Sequence, residues 1–173
     1  MRTILAGLAA LVMLGAGAAS AGEVFVGAYA HDVHVVAISG FEHGAEISAG
    51  YRTDPLQGLG VIWHPSVFGF GAVNTAGGVD YTAAGLSWKI GDRFFLRPGI
   101  GVAVHDGRVG KFQVGNELNL GSRVLAELEL GAGYRFTPST SIEASLVHLS
   151  HGQLAGRQNP GLDDLGLRLT HRF

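Results

Sequence analysis

Residues 123–136 read RVLAELELGAGYRF, and this stretch decides the fold. Its even positions are Val124, Ala126, Leu128, Leu130, Ala132, Tyr134 and Phe136, whereas its odd ones include Arg123, Glu127, Glu129, Gly131, Gly133 and Arg135. A period of two sustained this long describes a strand with one apolar and one polar face. Working outward, comparable segments lie near 23–30, 44–53, 66–74, 79–90, 93–105, 140–151 and 163–173, so the expected class is all-β with eight strands. The connections IGD (90–92) and TPST (137–140) are tight turns, while 106–122 and 152–162 are long loops.

The chain has 173 residues, 47% apolar and 15% charged, with 28 Gly, no Cys and a formal charge of −2. That apolar share supports one folded domain and argues against disorder. A near-neutral balance gives no electrostatic reason to expect nucleic acid, and the lack of Cys excludes a disulfide framework or a Cys zinc site. Residues 1–21 have the three parts of a cleavable secretory signal: Arg2, an apolar run from Ile4 to Gly17, and Ala19-Ser20-Ala21 as the A-x-A site. A signal anchor is the alternative for this leader. Residues 22–173 are then a single exported domain without the 18 consecutive apolar residues of a transmembrane helix.

The faces of the strands separate a soluble sandwich from a membrane barrel. Sorted by parity, one face carries Glu46, Arg52, Arg97, Glu127, Glu129, Arg135, Glu143, Arg168 and Arg172 with the glycine pairs 69/71, 99/101 and 131/133. The other is apolar, with Ile47, Phe68, Phe70, Leu86, Trp88, Leu96, Ile100, Val102, Leu128, Leu130, Leu146, Leu167 and Leu169 among its members. A sandwich would have to leave the glycine-rich face in water. In an eight-stranded antiparallel transmembrane β-barrel of the outer membrane, glycines and an Arg/Glu network fill the narrow lumen and the apolar band meets lipid. The final strand ends on Phe173, as such barrels typically do. With both termini periplasmic, the tight turns face the periplasm and 148–164 is extracellular.

Polar residues interrupt the lipid-facing parity there. His148 and Ser150 share the face of Ile142, Ala144 and Leu146, and Asp163 shares that of Leu165, Leu167 and Leu169. Asp164 points with Arg168 into the lumen or to its rim. Polar groups on a lipid face are costly and are read first as functional. A Ser, a His and a carboxylate turned alike on adjacent strands meet the residue inventory of an activated nucleophile. Ordinary polar residues at an aqueous rim are the alternative.

The stretches LGSRVLAELELGAGYRF (120–136) and HLSHGQLAGRQNPGLDDLGLRL (148–169) resemble the lipid A 3-O-deacylase (PagL) family of outer-membrane barrels. The resemblance implies a serine hydrolase triad of His148, Ser150 and Asp163. The family's Asn-before-Gly pattern, with its acid two residues after the Gly, maps onto Asn159, Gly161 and Asp163. Two positions depart from one member of the family: Asp163 stands where that member has Glu, and His151 where it has Asn. His151 is accordingly read as a spare base or a rim residue. The resemblance implies lipid A of lipopolysaccharide as substrate, cleaved at its 3-position acyl ester. Asn159 and backbone N–H groups near Gly152 are the candidate oxyanion donors, with a turn role for Asn159 as the alternative.

Expected partners are lipopolysaccharide and outer-membrane lipid, with a homodimer left open and no nucleic acid. No cofactor or metal is expected. His31, His34, His43, His64, His105 and His171 read as rim or interfacial residues without a metal motif. Arg108, Lys111, Arg123 and Arg157 are candidates for lipid A phosphates or simply solvated loop residues. The competing functions are a non-catalytic barrel of adhesive or structural type, and an outer-membrane phospholipase or palmitoyl transferase.

Overall fold

The computed structural model describes residues 22–37, 40–110 and 118–173; the proposed leader and Lys111 lie outside them. Eight strands run in order: β1 (Gly22–Ala30), β2 (Ala45–Thr53), β3 (Ser66–Asn74), β4 (Tyr81–Ser87), β5 (Phe94–His105), β6 (Val124–Arg135), β7 (Thr140–Ser150) and β8 (Leu162–Arg172). Each pairs antiparallel with its sequence neighbours, and β1 pairs with β8, so the sheet closes on itself. Closure removes the exposed edges that a membrane does not tolerate. The β4–β5 register continues past Ser87 through the short pair Ile90–Gly91, where Ile90 faces Leu96. The gap between has a chemical cause: Pro98 has no N–H to donate, although its carbonyl still accepts from Trp88 at 3.0 Å.

The lumen is a charge lattice. Arg52 bridges Glu23 (2.9 Å) and Glu129 (2.8 Å), Arg97 bridges Glu23 (2.9 Å) and Glu143 (3.1 Å), and Arg168 bridges Glu129 (2.7 Å) and Glu143 (3.0 Å). Each of these three arginines therefore shares its carboxylates with another, which is how buried charges remain tolerable. Val26, Ile47, Leu96, Ile100, Val102, Leu128, Leu130, Leu167 and Leu169 form the exposed outer band. Phe94, Tyr134 and Phe136 stack in series at the end that carries the tight turns, with centroids 4.9 and 5.3 Å apart. Amphipathic rings collect at that level of a membrane barrel.

One strand reverses the expected faces. On β3 it is Phe68 and Phe70 that are buried in the lumen, while Val67 and Val73 are exposed outside, so the 69/71 glycine pair looks outward. The rings pack beneath guanidinium groups, with Arg52 4.9 Å from the Phe25 ring and 5.8 Å from Phe68, and Arg168 4.6 Å from Phe25. Gly50 on β2 makes room for them: a Cβ there would stand 2.5 Å from both Phe25 and Phe70. Glycine by itself therefore does not mark the lumen face. A second departure concerns the turns, since the β2–β3 connection lies at the tight-turn end yet contains a 3-10 helix, Gln57–Ile62.

Candidate active site

At the opposite end, β7 and β8 pair His148 directly across from Asp163. Residues two apart on a strand share a face, so Ser150 stands on the same side as His148. The imidazole links them: Nδ1 lies 2.6 Å from Asp163 Oδ1, and Nε2 lies 3.0 Å from Ser150 Oγ. A hydroxyl, an imidazole and a carboxylate are thereby joined in one hydrogen-bonded chain on the outer face of the barrel.

The environment of that chain differs from the lipid exposure its parity suggests. Asp163 is fully buried, because the β1–β2 loop folds over the outside of the rim. Three consecutive backbone N–H groups, of Val35 (3.0 Å), Val36 (2.5 Å) and Ala37 (2.8 Å), donate to Asp163 Oδ2, leaving Oδ1 for His148. The Val33 N–H adds a bond to the Asp163 carbonyl at 2.9 Å. The loop is itself tied down by Asp32, whose Oδ2 accepts the N–H groups of Gly40, Phe41 and Glu42. Sequence reasoning missed this strap, and only the Asp at the end of a strand hinted at a loop anchor. Gly161, at φ +76, completes the packing: a Cβ there would stand 3.2 Å from His148 Cε1.

The β7–β8 loop is braced from within by His151. Its Nε2 lies 2.8 Å from the Gln158 carbonyl, its Nδ1 accepts the Ala155 N–H at 3.2 Å, and its own N–H donates to Asn159 Oδ1 at 3.0 Å. With both ring nitrogens engaged, His151 is a loop brace and not a spare base. Asn159 is held by its carbonyl oxygen, which leaves its amide nitrogen free of that bond. Gly152 takes the left-handed conformation, φ +56, with open space where a side chain would stand.

Two histidines read as rim residues are instead buried. His105 Nε2 meets the Ser122 carbonyl at 2.6 Å. His31 gathers Glu42 (3.0 Å), Glu46 (3.1 Å) and Asp164 (2.9 Å), a His/carboxylate cluster that no linear motif announces. Burial opposes its charge, but the carboxylates of Asp164, Glu42 and Glu46 around it prevail and raise its pKa to about 11. His34, His43, His64 and His171 are exposed, as expected. Arg123 is turned inward onto the carbonyls of His105 and Gly107, which makes it a loop clasp.

Comparison with known proteins agrees with this architecture. The solved structure described as "Crystal structure of the outer membrane enzyme PagL" superposes with a TM-score of 0.64 at 20% identity, covering 87% of this chain and 99% of that one. The Yersinia pestis outer membrane protein Ail is a more remote likeness, with a TM-score of 0.48 and 15% identity over 88% of this chain and 99% of its own. No curated protein matches the sequence. A family model described as "Lipid A 3-O-deacylase (PagL)" matches residues 40–172, which takes in all but the first strand of the barrel. The chain belongs to the lipid A 3-O-deacylase (PagL) family.

Proposed function

We propose that the protein is a serine esterase that removes the 3-position acyl chain of lipid A from the outer leaflet of the outer membrane. The observation that carries this reading is the bridge of His148 between Ser150 Oγ at 3.0 Å and Asp163 Oδ1 at 2.6 Å. His148 accepts the Ser150 proton as the hydroxyl attacks the acyl carbonyl. Asp163 fixes the tautomer that presents Nε2 to the serine and stabilises the imidazolium that forms. The protonated His148 then gives its proton to the departing sugar hydroxyl, and water, activated by the same imidazole, releases the fatty acid from Ser150. The amide of Asn159 and N–H groups near Gly152 supply the oxyanion donors, each worth about 3 kcal/mol in such sites.

The placement suits a lipid ester. His148 stands on the outer wall level with Leu128 of the neighbouring strand, with Leu146 below it and Ser150 above, so a substrate acyl chain lying against the barrel reaches them without leaving the bilayer. Residues 1–21 serve as the export signal and are absent from the mature enzyme. Mass spectra of lipid A from cells producing the wild-type chain or Ser150→Ala test this reading. Loss of one 3-linked acyl chain with the wild type alone is expected. Unchanged lipid A with fatty acid released from phospholipid would instead mark a phospholipase, and unchanged lipids of both kinds a non-catalytic barrel.

A further inference from the structure

Beyond the arginine lattice, Glu42, Glu46 and Asp164 gather around one imidazole in the outer part of the lumen. His31, just past β1, is fully buried there, and its Nε2 makes a regular hydrogen bond to Glu42 Oε2 at 3.0 Å. Its Nδ1 lies 2.9 Å from Asp164 Oδ1 and 3.1 Å from Glu46 Oε2, yet is aligned for a hydrogen bond with neither. Glu46 is completely buried and neither of its carboxylate oxygens is hydrogen-bonded. A buried carboxylate without a hydrogen bond is costly and calls for a positive group aimed at it. One Nδ1–H could answer only one of the two acids.

We infer that His31, Glu46 and Asp164 form a binding site for one divalent cation of the zinc type, inside the lumen and separate from the Ser150–His148–Asp163 chain. Their ligand atoms all lie within 4.8 Å of one another. Two donors bound tetrahedrally to such a metal at about 2.1 Å stand about 3.4 Å apart, a few tenths of an ångström more than the 2.9 and 3.1 Å that separate Nδ1 from the two acids. The surrounding bonds are those that orient metal ligands. His31 turns its other nitrogen to Glu42, and Tyr81 donates to the second oxygen of Asp164 at 2.8 Å. One imidazole with two carboxylates suits zinc and its neighbours, whereas calcium wants six to eight oxygens. The competing occupant of Nδ1 is a proton, which a metal must displace.

The site ties three parts of the rim together: Glu46 from β2, His31 from the start of the strap, and Asp164 from β8. A bound cation therefore stabilises the end of the barrel on which the strap is anchored, and it takes no part in ester hydrolysis. The test is titration of untagged, chelator-stripped barrel in detergent micelles with Zn2+ alone, read by calorimetry, by bound zinc per chain and by unfolding temperature. One zinc per barrel and a raised unfolding temperature are expected, with affinity reduced at least about 100-fold in both His31→Gln and Glu46→Gln. Zinc retained at wild-type affinity by these variants would place it on exposed histidines and overturn the site. If either variant does not fold, the wild type still decides: no stoichiometric zinc and no change in unfolding temperature would leave the cluster as an imidazolium held by acids.

Discussion

Asp163 and Asp164 are chain neighbours, both buried, and they belong to different halves of the molecule. Asp163 lies on the outer wall, where the strap supplies three N–H groups to one oxygen and His148 takes the other. Asp164 lies inside, where it meets His31 and the Tyr81 hydroxyl and accepts the Asp32 N–H at 3.3 Å. The alternation of a strand sends one carboxylate to the proposed catalytic chain and the next into the lumen. Identical side chains thus acquire different work from the face they occupy, and substitutions on the two faces should separate activity from stability.

The largest expected effects lie on the outer face. Ser150→Ala and His148→Ala should each lower turnover by about 10⁶-fold, as loss of a nucleophile or its base does in serine hydrolases, while both variants keep a heat-modifiable barrel on electrophoresis. Retention of near wild-type deacylation by either would remove the triad. Smaller, but on the same face, is Val36→Pro, which deletes the central N–H given to Asp163. A charge-assisted hydrogen bond of about 2 kcal/mol predicts a loss of roughly 30-fold in kcat with KM little changed. Unaltered kcat would mean that the strap covers the acid without orienting it.

On the inner face the expected readout changes from rate to stability. Tyr81→Phe removes one buried hydrogen bond to Asp164 and should cost about 1–2 kcal/mol of unfolding free energy with turnover within a few-fold of wild type. Excess chelator should have the smallest effect on catalysis, namely none, because the proposed charge stabilisation comes from Asn159 and backbone donors. An assay in which EDTA abolishes hydrolysis and calcium restores it would contradict that and point to a phospholipase-like mechanism.

Much of this comparison is legible in the sequence because alternation is a local property. Leu128 and Glu129 announce opposite faces by themselves, and the same parity separates Asp163 from Asp164 and aligns His148 with Ser150. The exception on β3 is instructive: parity puts Phe68 and Gly69 on opposite faces without saying which face is the lumen, and the lumen takes the rings, with Arg52 over Phe68 and Arg168 over Phe70. What depends on distant segments is not legible. The strap that buries Asp163 comes from residues 33–37, more than 120 positions away, and the acids that collect around His31 come from β2, β8 and the strap's far end. His151 was ambiguous for a related reason, since its partners Ala155, Gln158 and Asn159 are fixed only once the loop has folded.

The central claim is that Asp163, and not its neighbour, completes the catalytic chain. Deacylation of purified lipopolysaccharide by Asp163→Asn and Asp164→Asn, measured side by side in micelles with an unfolding curve for each, tests it most directly. The account predicts a fall of about 10⁴-fold in kcat for Asp163→Asn with the Asp164→Asn rate within about tenfold of wild type, and a larger loss of stability in Asp164→Asn. Full activity in Asp163→Asn, or an equal collapse of turnover in a stably folded Asp164→Asn, would contradict it.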